Sequence, residues 1–560
     1  MLALTTTLLV LAQVPAGTGT PPGERDGGAL ILGAVSRCKS CHDKDISFEP
    51  AIYLPFDGWV SSMMGNAMRD PLFKAALTVA NQDVPGIGSW CLRCHSPSGW
   101  VQGHTTPPDG SALDEIDKEG ITCDAYHRSK VPSNEPGAPY LNNAQLYWEY
   151  TPVKYGPYAN VSSPAHDGAP SAFTGSSELC GQCHQVQNPI GPWRSADGGI
   201  IGPNFPLDTT YEEWKQSAFA RSPLDAGFAS CADCHMPRFD PDGGVFNVGK
   251  TGPYRPAPRR HVFVGGNLWG LKAVQAANPE LAQYADQFAE TESWVLKNLA
   301  NAAALKVTLP TDPVSGDTVK ARVQVTNLTG HKLPSGYADG RRVVVQLRVD
   351  GKVVRGGFDG GELLDAANAR VYEILHGRAG VGVEEHLALH DMVVKDSRLP
   401  PRGLIATPAT APVGVGWFDL ADGGLSHVDD FEVTLPLPPS AADGAQVKVE
   451  AVLLFQSTTP EYVHFLRDQN TTDDAGQTLF DIWKATGEAA PVEMTRAEGT
   501  LTVSRPQTTG GGAGGNGGNG GGAGGGNVTG PCGCSSASGL FGALGLLLLW
   551  RGRRRSWSSV

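Results

Sequence analysis

No apolar run in this 560-residue sequence approaches the roughly 20 residues that cross a bilayer as a helix. The tail run Gly539–Trp550 stops at 12 and meets Arg551-Gly-Arg-Arg-Arg555. A basic surplus is missing too: 57 acidic residues outweigh 44 basic ones, for a net charge of −13. That argues against nucleic acid as a partner and leaves no sign of a broad basic face. Charged residues reach only 18%, while Gly (71) and Pro (42) are abundant, as in a loop-rich chain with a modest aliphatic core. No fixed-period repeat appears, and the length leaves room for about two to four domains.

One short pattern is present four times: Cys38-Lys-Ser-Cys41-His42, Cys91-Leu-Arg-Cys94-His95, Cys180-Gly-Gln-Cys183-His184 and Cys231-Ala-Asp-Cys234-His235. C-x-x-C-H is the attachment signature of c-type haem. Its two thiols add to the porphyrin vinyl groups, and the adjacent His ligates the iron. The competing reading is a zinc ribbon, in which two C-x-x-C pairs make one tetrahedral site. Zinc needs no His after each pair, and 14 His in 560 residues would place one there by chance roughly once in 40. Four in four selects haem. Eight of the 11 Cys lie in these motifs, so the count describes no disulfide framework.

Glu119-Gly-Ile-Thr-Cys123-Asp-Ala-Tyr126-His127 looks like a fifth motif whose second Cys is Tyr126. One thioether at Cys123 and an iron ligand at His127 remain chemically open. A buried, unused thiol is the alternative, and from sequence alone the expectation is four haems with the fifth doubtful.

Haem attachment of this kind takes place outside the cytoplasm, so export is expected. Leu2 to Leu11 is largely apolar, and Val14-Pro-Ala16 resembles a small-residue cleavage site, giving a signal peptide over 1–16, although the usual basic n-region is missing. Residues 36–304 read as a loop-rich, mainly helical haem domain. Phe73 to Ala80 is a short amphipathic helix there, and a long trailing helix opens at Asn278-Pro279. From Leu305 the apolar period becomes two: Val319 to Val325, Val343 to Val349 with an Asp350-Gly351 turn, Phe431 to Leu437, Val447 to Phe455 and Thr500 to Ser504. An immunoglobulin-like antiparallel β-sandwich over 305–505 is expected, making the chain an α+β multidomain protein. Within it, Asp396, Arg398 and Pro400-Pro401 read as a structured loop. Residues 506–530 are a Gly-rich linker, and 531–560, with Cys532 and Cys534, an anchoring or sorting segment.

Trp90-Cys-Leu-Arg-Cys-His-Ser-Pro97, Gly120-Ile-Thr-Cys-Asp124, Cys231-Ala-Asp-Cys-His-Met-Pro237 and Gly330-His331-Lys-Leu-Pro-Ser-Gly336 resemble multihaem cytochromes of the cytochrome c-552/c-554 type. The likeness spans about 36–505, and the tail resembles the MYXO-CTERM sorting signal. The resemblance implies closely packed haem pairs, mostly with two axial ligands, and function either in electron transfer or, in relatives, in catalysis at an open haem. It supports His261 and His331 as second axial ligands. His104, His166 and His127 are further candidates, as is Met64 in the cluster with Met63 and Met68. His376, His386, His390, His427 and His464 lie too far along the chain and read as residues of the sandwich. The preferred function is an envelope-anchored electron relay with redox partner proteins. A multihaem oxidoreductase acting on a small nitrogen or sulfur compound comes second, and a surface binding module with structural haems third.

Overall fold

The computed structural model describes residues 32–505, apart from 45–52, 132–140, 149–150, 160, 162, 222–226, 240–244, 247–248, 251–254, 257, 338, 417–419 and 421–422. The expected leader at 1–16, the linker at 506–530 and the tail at 531–560 lie outside the described residues. Among the described residues no helix is long and apolar enough to cross a membrane.

The first half is built of short helices joined by turns: α1 (Ser36–His42), α2 (Pro55–Val60), α3 (Pro71–Asp83), α4 (Gly88–His95), α5 (Cys123–His127), α6 (Ser177–Gly181) and α7 (Cys231–His235). Helix α3 contains the expected Phe73–Ala80 stretch. Asp70 starts it by accepting the Leu72 N–H at 2.9 Å, with Pro71 in the first turn. Two longer helices follow, α8 (Leu268–Ala277) and α9 (Ala285–Asn301). Asn278 does not cap α9 as the sequence pattern suggests. Its side-chain amide donates to the Val274 carbonyl at 2.7 Å and so closes α8, while Pro279–Tyr284 forms a 3-10 turn before α9.

The second half holds two facing sheets. One is antiparallel, in the order β7 (Val428–Pro436), β2 (Thr318–Asn327), β1 (Ala303–Thr308). The other has eight strands, centred on β9 (Val492–Ser504), β8 (Gln446–Gln456), β3 (Arg342–Val349) and β5 (Arg370–Arg378); β4 (Lys352–Arg355) pairs with β3, and β6 (Met392–Asp396) with β5. Register places Val345 opposite Leu453 and Val325 opposite Leu305. Strand β2 alternates as its sequence requires, burying Val319, Ala321, Val323 and Val325. The β3–β4 hairpin turns at Asp350 and Gly351, whose φ values of 47° and 76° suit a primed turn. Two helices that the strand pattern did not suggest, α10 (Pro460–Gln469) and α11 (Ala475–Ala485), fall between β8 and β9. They pack Val463, Leu466, Leu479 and Trp483 against Val79 of α3 and Ala273 of α8.

The main core crosses the expected boundary at 304/305. Val262, Leu271, Phe288, Val295 and Leu299 from the helical side join Val323, Val345, Leu435, Leu453 and Leu501 from both sheets in one cluster. Helix α9 is therefore a layer against the sheets as well as an edge of the region that carries the motifs.

Candidate functional site

Most of the motifs are read out on single helical turns. On a helix, positions i, i+3 and i+4 share a face, so both thiols and the imidazole of C-x-x-C-H face one side. Ser230 and Asp233 form a capping box that starts α7 at Cys231. Helix α5 is started by Thr122, whose hydroxyl accepts from the Ala125 amide at 3.3 Å. Cys123 and His127 keep the same i, i+4 relation there. Tyr126 occupies the place of the second thiol, stacking on Phe263 at 5.3 Å and donating its hydroxyl to Met64 Sδ at 3.5 Å.

All the motifs open on one cavity of about 2020 Å³. A pocket for one drug-sized ligand occupies about 300–1,000 Å³, so this space suits several macrocycles. It is lined by all nine cysteines between residues 38 and 234 and by eight histidines. Thiols of different motifs meet in pairs, Cys38 with Cys123, Cys94 with Cys183 and Cys180 with Cys231. A zinc ribbon would need four such donors around one point. Among the described residues no group of three or more potential metal ligands includes a cysteine.

The imidazoles separate more sharply. His127 and His261 have ring centres 6.1 Å apart, and so do His235 and His331. Two imidazoles bound on opposite sides of one metal ion, each at about 2.0–2.1 Å, place their ring centres about 6 Å apart. All four rings use Nδ1 on a backbone carbonyl: His127 on Tyr155 (2.8 Å), His261 on Arg259 (3.2 Å), His331 on Lys332 (2.9 Å), and His235 on Val264. Donation from Nδ1–H leaves the Nε2 lone pair for a metal, the usual arrangement around a ligating His. Burial pushes His235 down to about 4 and His261 to about 3, so both are neutral, ligand-competent bases at neutral pH. His95 also faces a carbonyl through Nδ1, that of Ala67 at 3.3 Å, and stacks on Phe73. His42 and His184 line the same cavity. Thiols in position, paired imidazoles and a cavity of this size together fit covalently attached haem.

Chain segments far from the motifs hold the second member of each pair. Arg259 donates to the Ala232 carbonyl at 2.6 Å and pairs with Asp233, tying the segment that carries His261 to α7. The same segment lies on α2 so closely that a Cβ at Gly58 would come within 2.8 Å of the His261 carbonyl carbon. The His331 loop rests on a buried four-residue ionic cluster. Lys332 Nζ donates to Asp396 at 2.6 Å, Arg398 donates to Asp396 at 2.8 and 2.9 Å, and Arg398 pairs with Glu213 at 2.9 Å. Glu213 in turn accepts from the Lys332 amide at 3.0 Å and the Ser335 hydroxyl at 2.6 Å. Asp396 and Arg398, expected as a structured loop, are thus half of the support under His331. Their partner Glu213 lies on the short helix Thr210–Lys215 of the motif-bearing region, and sequence did not single it out.

The other candidates lie as follows. His166 is on the cavity wall with Nδ1 on the Asp167 carbonyl at 3.1 Å. His104 bonds Asp117 at 2.6 Å and does not line the cavity. Met64 and Met63 line it, and Met68 is core between Leu77, Leu92 and Leu113. His386 bonds Asp83 at 2.9 Å, His464 lies against Phe480 and Trp483, and His376 and His390 are buried in the β-rich half.

No protein-family model matches this sequence, and no curated protein matches it. Among solved structures the chain is similar to the crystal structure of a penta-heme cytochrome c552 from Thermochromatium tepidum. The TM-score is 0.47 and the identity 15%, over 84% of this chain and 99% of that chain.

Proposed function

We propose that this chain is an exported multihaem c-type cytochrome of the c-552/c-554 type that passes electrons between partner proteins at the cell envelope. It would hold haem at the four C-x-x-C-H motifs and, through Cys123 alone, at a fifth position. The observation that carries this reading is the pairing of His127 with His261 and of His235 with His331, each at the separation of two ligands on one iron. The first pair also supports a fifth haem beside the four expected from sequence, because His127 belongs to the degenerate motif. When bound, haem supplies one-electron redox chemistry. The residues of the chain anchor it by thioether, orient the ligating nitrogens through Nδ1 donation, and exclude water with an apolar wall. Contacts between thiols of different motifs favour closely spaced groups. The leader and the MYXO-CTERM-like tail support export and tethering, and the two facing sheets are in keeping with an immunoglobulin-like sandwich.

Covalent haem per chain, measured on exported protein from a maturation-competent host, tests the proposal. Five are expected, falling to four in Cys123→Ser. Colourless protein with zinc on the thiols would overturn it.

A second reading is favoured by the count of imidazoles. Removing the two pairs from the eight cavity histidines leaves His42, His95 and His184 with His166 as the one spare ring. Three motif irons would then share one further imidazole, so that at least two are open or capped by a weaker donor such as Met64. An open iron suits a multihaem oxidoreductase. Carbon monoxide added to the reduced protein separates the readings, since a pure relay leaves the spectrum unchanged.

A further inference from the structure

A group of buried titratable side chains that haem binding leaves unused backs one wall of the cavity. Asp339, in the turn before β3, lines that wall beside Tyr337 and Arg341. Behind it lie His376 on β5 and His390 after the turn Leu387–Leu389. His376 is 2% exposed and His390 1%, and a side-chain nitrogen or oxygen of each of the three lies within 4.8 Å of the other two. The same turn packs on the motif of α4. Leu387 reaches the cavity, and Ala388 joins Ala80 of α3 and Ile87, with Leu389 and Trp90 against them.

Hydrogen bonding orients the group. His376 Nδ1 donates to Asp339 Oδ2 at 2.9 Å, which turns Nε2 to the far side of the ring. His390 Nε2 donates to the Glu384 carbonyl at 2.8 Å, which leaves Nδ1 bare. Neither His376 Nε2 nor His390 Nδ1 has a hydrogen-bond partner among the described residues. Buried lone pairs of this kind are uncommon and call for a role. A carboxylate on Nδ1 with Nε2 free is the arrangement that stabilises an imidazolium when one forms. Burial works to raise the Asp339 carboxyl, but the His376 and His390 rings hold it down at about 2, so it is ionised at neutral pH. His390 is pushed down to about 4 by burial and is neutral there.

The surrounding charges are mostly matched. Glu384 pairs with Arg378, and His386, which faces His390, pairs with Asp83. Tyr337, Arg341 and Tyr462 of α10 face Asp339. Burial, then Asp339 and Glu461, push Glu385 up to about 8, so it too is neutral.

We propose that Asp339, His376 and His390 form a proton acceptor coupled to the haem of Cys91, Cys94 and His95, so that each electron arriving there draws a proton onto the imidazole pair. The inference rests on the haem reading. One electron from a redox partner takes ferric iron to ferrous, and one proton from water adds to a free imidazole nitrogen, forming an N–H bond. The added negative charge in the cavity raises the proton affinity of rings behind the Asp339 wall, because charges interact strongly where water is excluded. The uptake belongs to the coupled pair of rings and not to either alone.

The haem-loaded chain, reduced at an electrode in weakly buffered solution with an indicator dye, tests this. Within about pH 5 to 8 it should take up about one proton per chain more than Asp339→Asn or His376→Gln, with His464→Gln matching the unmodified protein. Covalent haem is counted on the same samples. Constant haem with equal uptake in all four proteins would overturn the coupling alone, whereas protein without covalent haem would overturn the haem reading beneath it. A variant-free measurement uses isotope-labelled histidine in the unmodified chain. Its reduced-minus-oxidised infrared spectrum should gain a label-sensitive imidazolium band, and the lack of that band would overturn the proposal as well.

Discussion

At the ring of His331, Nδ1 is committed to the Lys332 carbonyl, which on the proposed reading leaves Nε2 for iron. Removing that ring should free one coordination position and leave the covalent links at Cys231 and Cys234 intact. We therefore expect His331→Ala to keep its haem count while about one haem per chain becomes high-spin and binds carbon monoxide. His261→Ala should do the same for the haem at Cys123. Absorbance of the reduced protein with and without carbon monoxide checks both, and an unchanged spectrum in either variant would remove that residue from the ligand set. The four histidines proposed as proximal ligands were legible because the attachment motif sets each beside its cysteine. His261 and His331 came only through resemblance, since nothing local distinguishes a distal ligand from an ordinary loop His. The His127–His261 pairing was hidden for a different reason. Tyr126 breaks the motif, and only in the fold does its ring stack on Phe263 beside a cavity that still has Cys123 on its wall.

The element that presents His331 is a short loop, and short loops hold a ligand only when something rigid lies beneath. Here it is the cluster of Glu213, Lys332, Asp396 and Arg398, two acids and two bases, all at 2% exposure or less. Breaking a buried pair from one side leaves an uncompensated charge and costs about 3–5 kcal/mol. Asp396→Asn should lower stability by that amount, read as a drop in Tm, and should add carbon monoxide binding at the His331 haem. Arg398 and Lys332 hold the Asp396 carboxyl well below the usual carboxylate range, outweighing its burial. A carboxyl with a depressed folded pKa contributes stability above its unfolded value of about 3.9, and that contribution is lost as pH falls through the folded value. The wild-type denaturation midpoint should thus decline on acidification below about pH 4, with a shallower slope in Asp396→Asn. Equal slopes would mean that the pair contributes nothing to folding. No sequence pattern announces this cluster, because Lys332 bonds partners 119 and 64 residues away.

For the whole molecule, the change from helical to twofold apolar period near residue 305 marks a real change of secondary structure. Strands β2 and β7 lie where alternation predicts them, because half-buried strands must alternate, whereas β3 and β8 are nearly continuous apolar runs buried on both faces. Period alone is blind to what covers the other side of a sheet. Val262, Leu271, Phe288, Val295 and Leu299 are in the same cluster as the strand residues, and α10 and α11 reach back from the β-rich half onto α3 and α8. Those five side chains, at about 1.5–3 kcal/mol each for full burial, represent on the order of 10 kcal/mol of contact across position 304/305. That matches the entire stability of a typical domain, about 5–15 kcal/mol. Residues 305–505 expressed alone should therefore lack a cooperative thermal transition and expose apolar surface to a hydrophobic dye. The haem-loaded chain should unfold in a single calorimetric transition. A folded, monomeric 305–505 fragment, or two separate transitions in the full chain, would show that the interface across 304/305 is a docking contact between two independent domains.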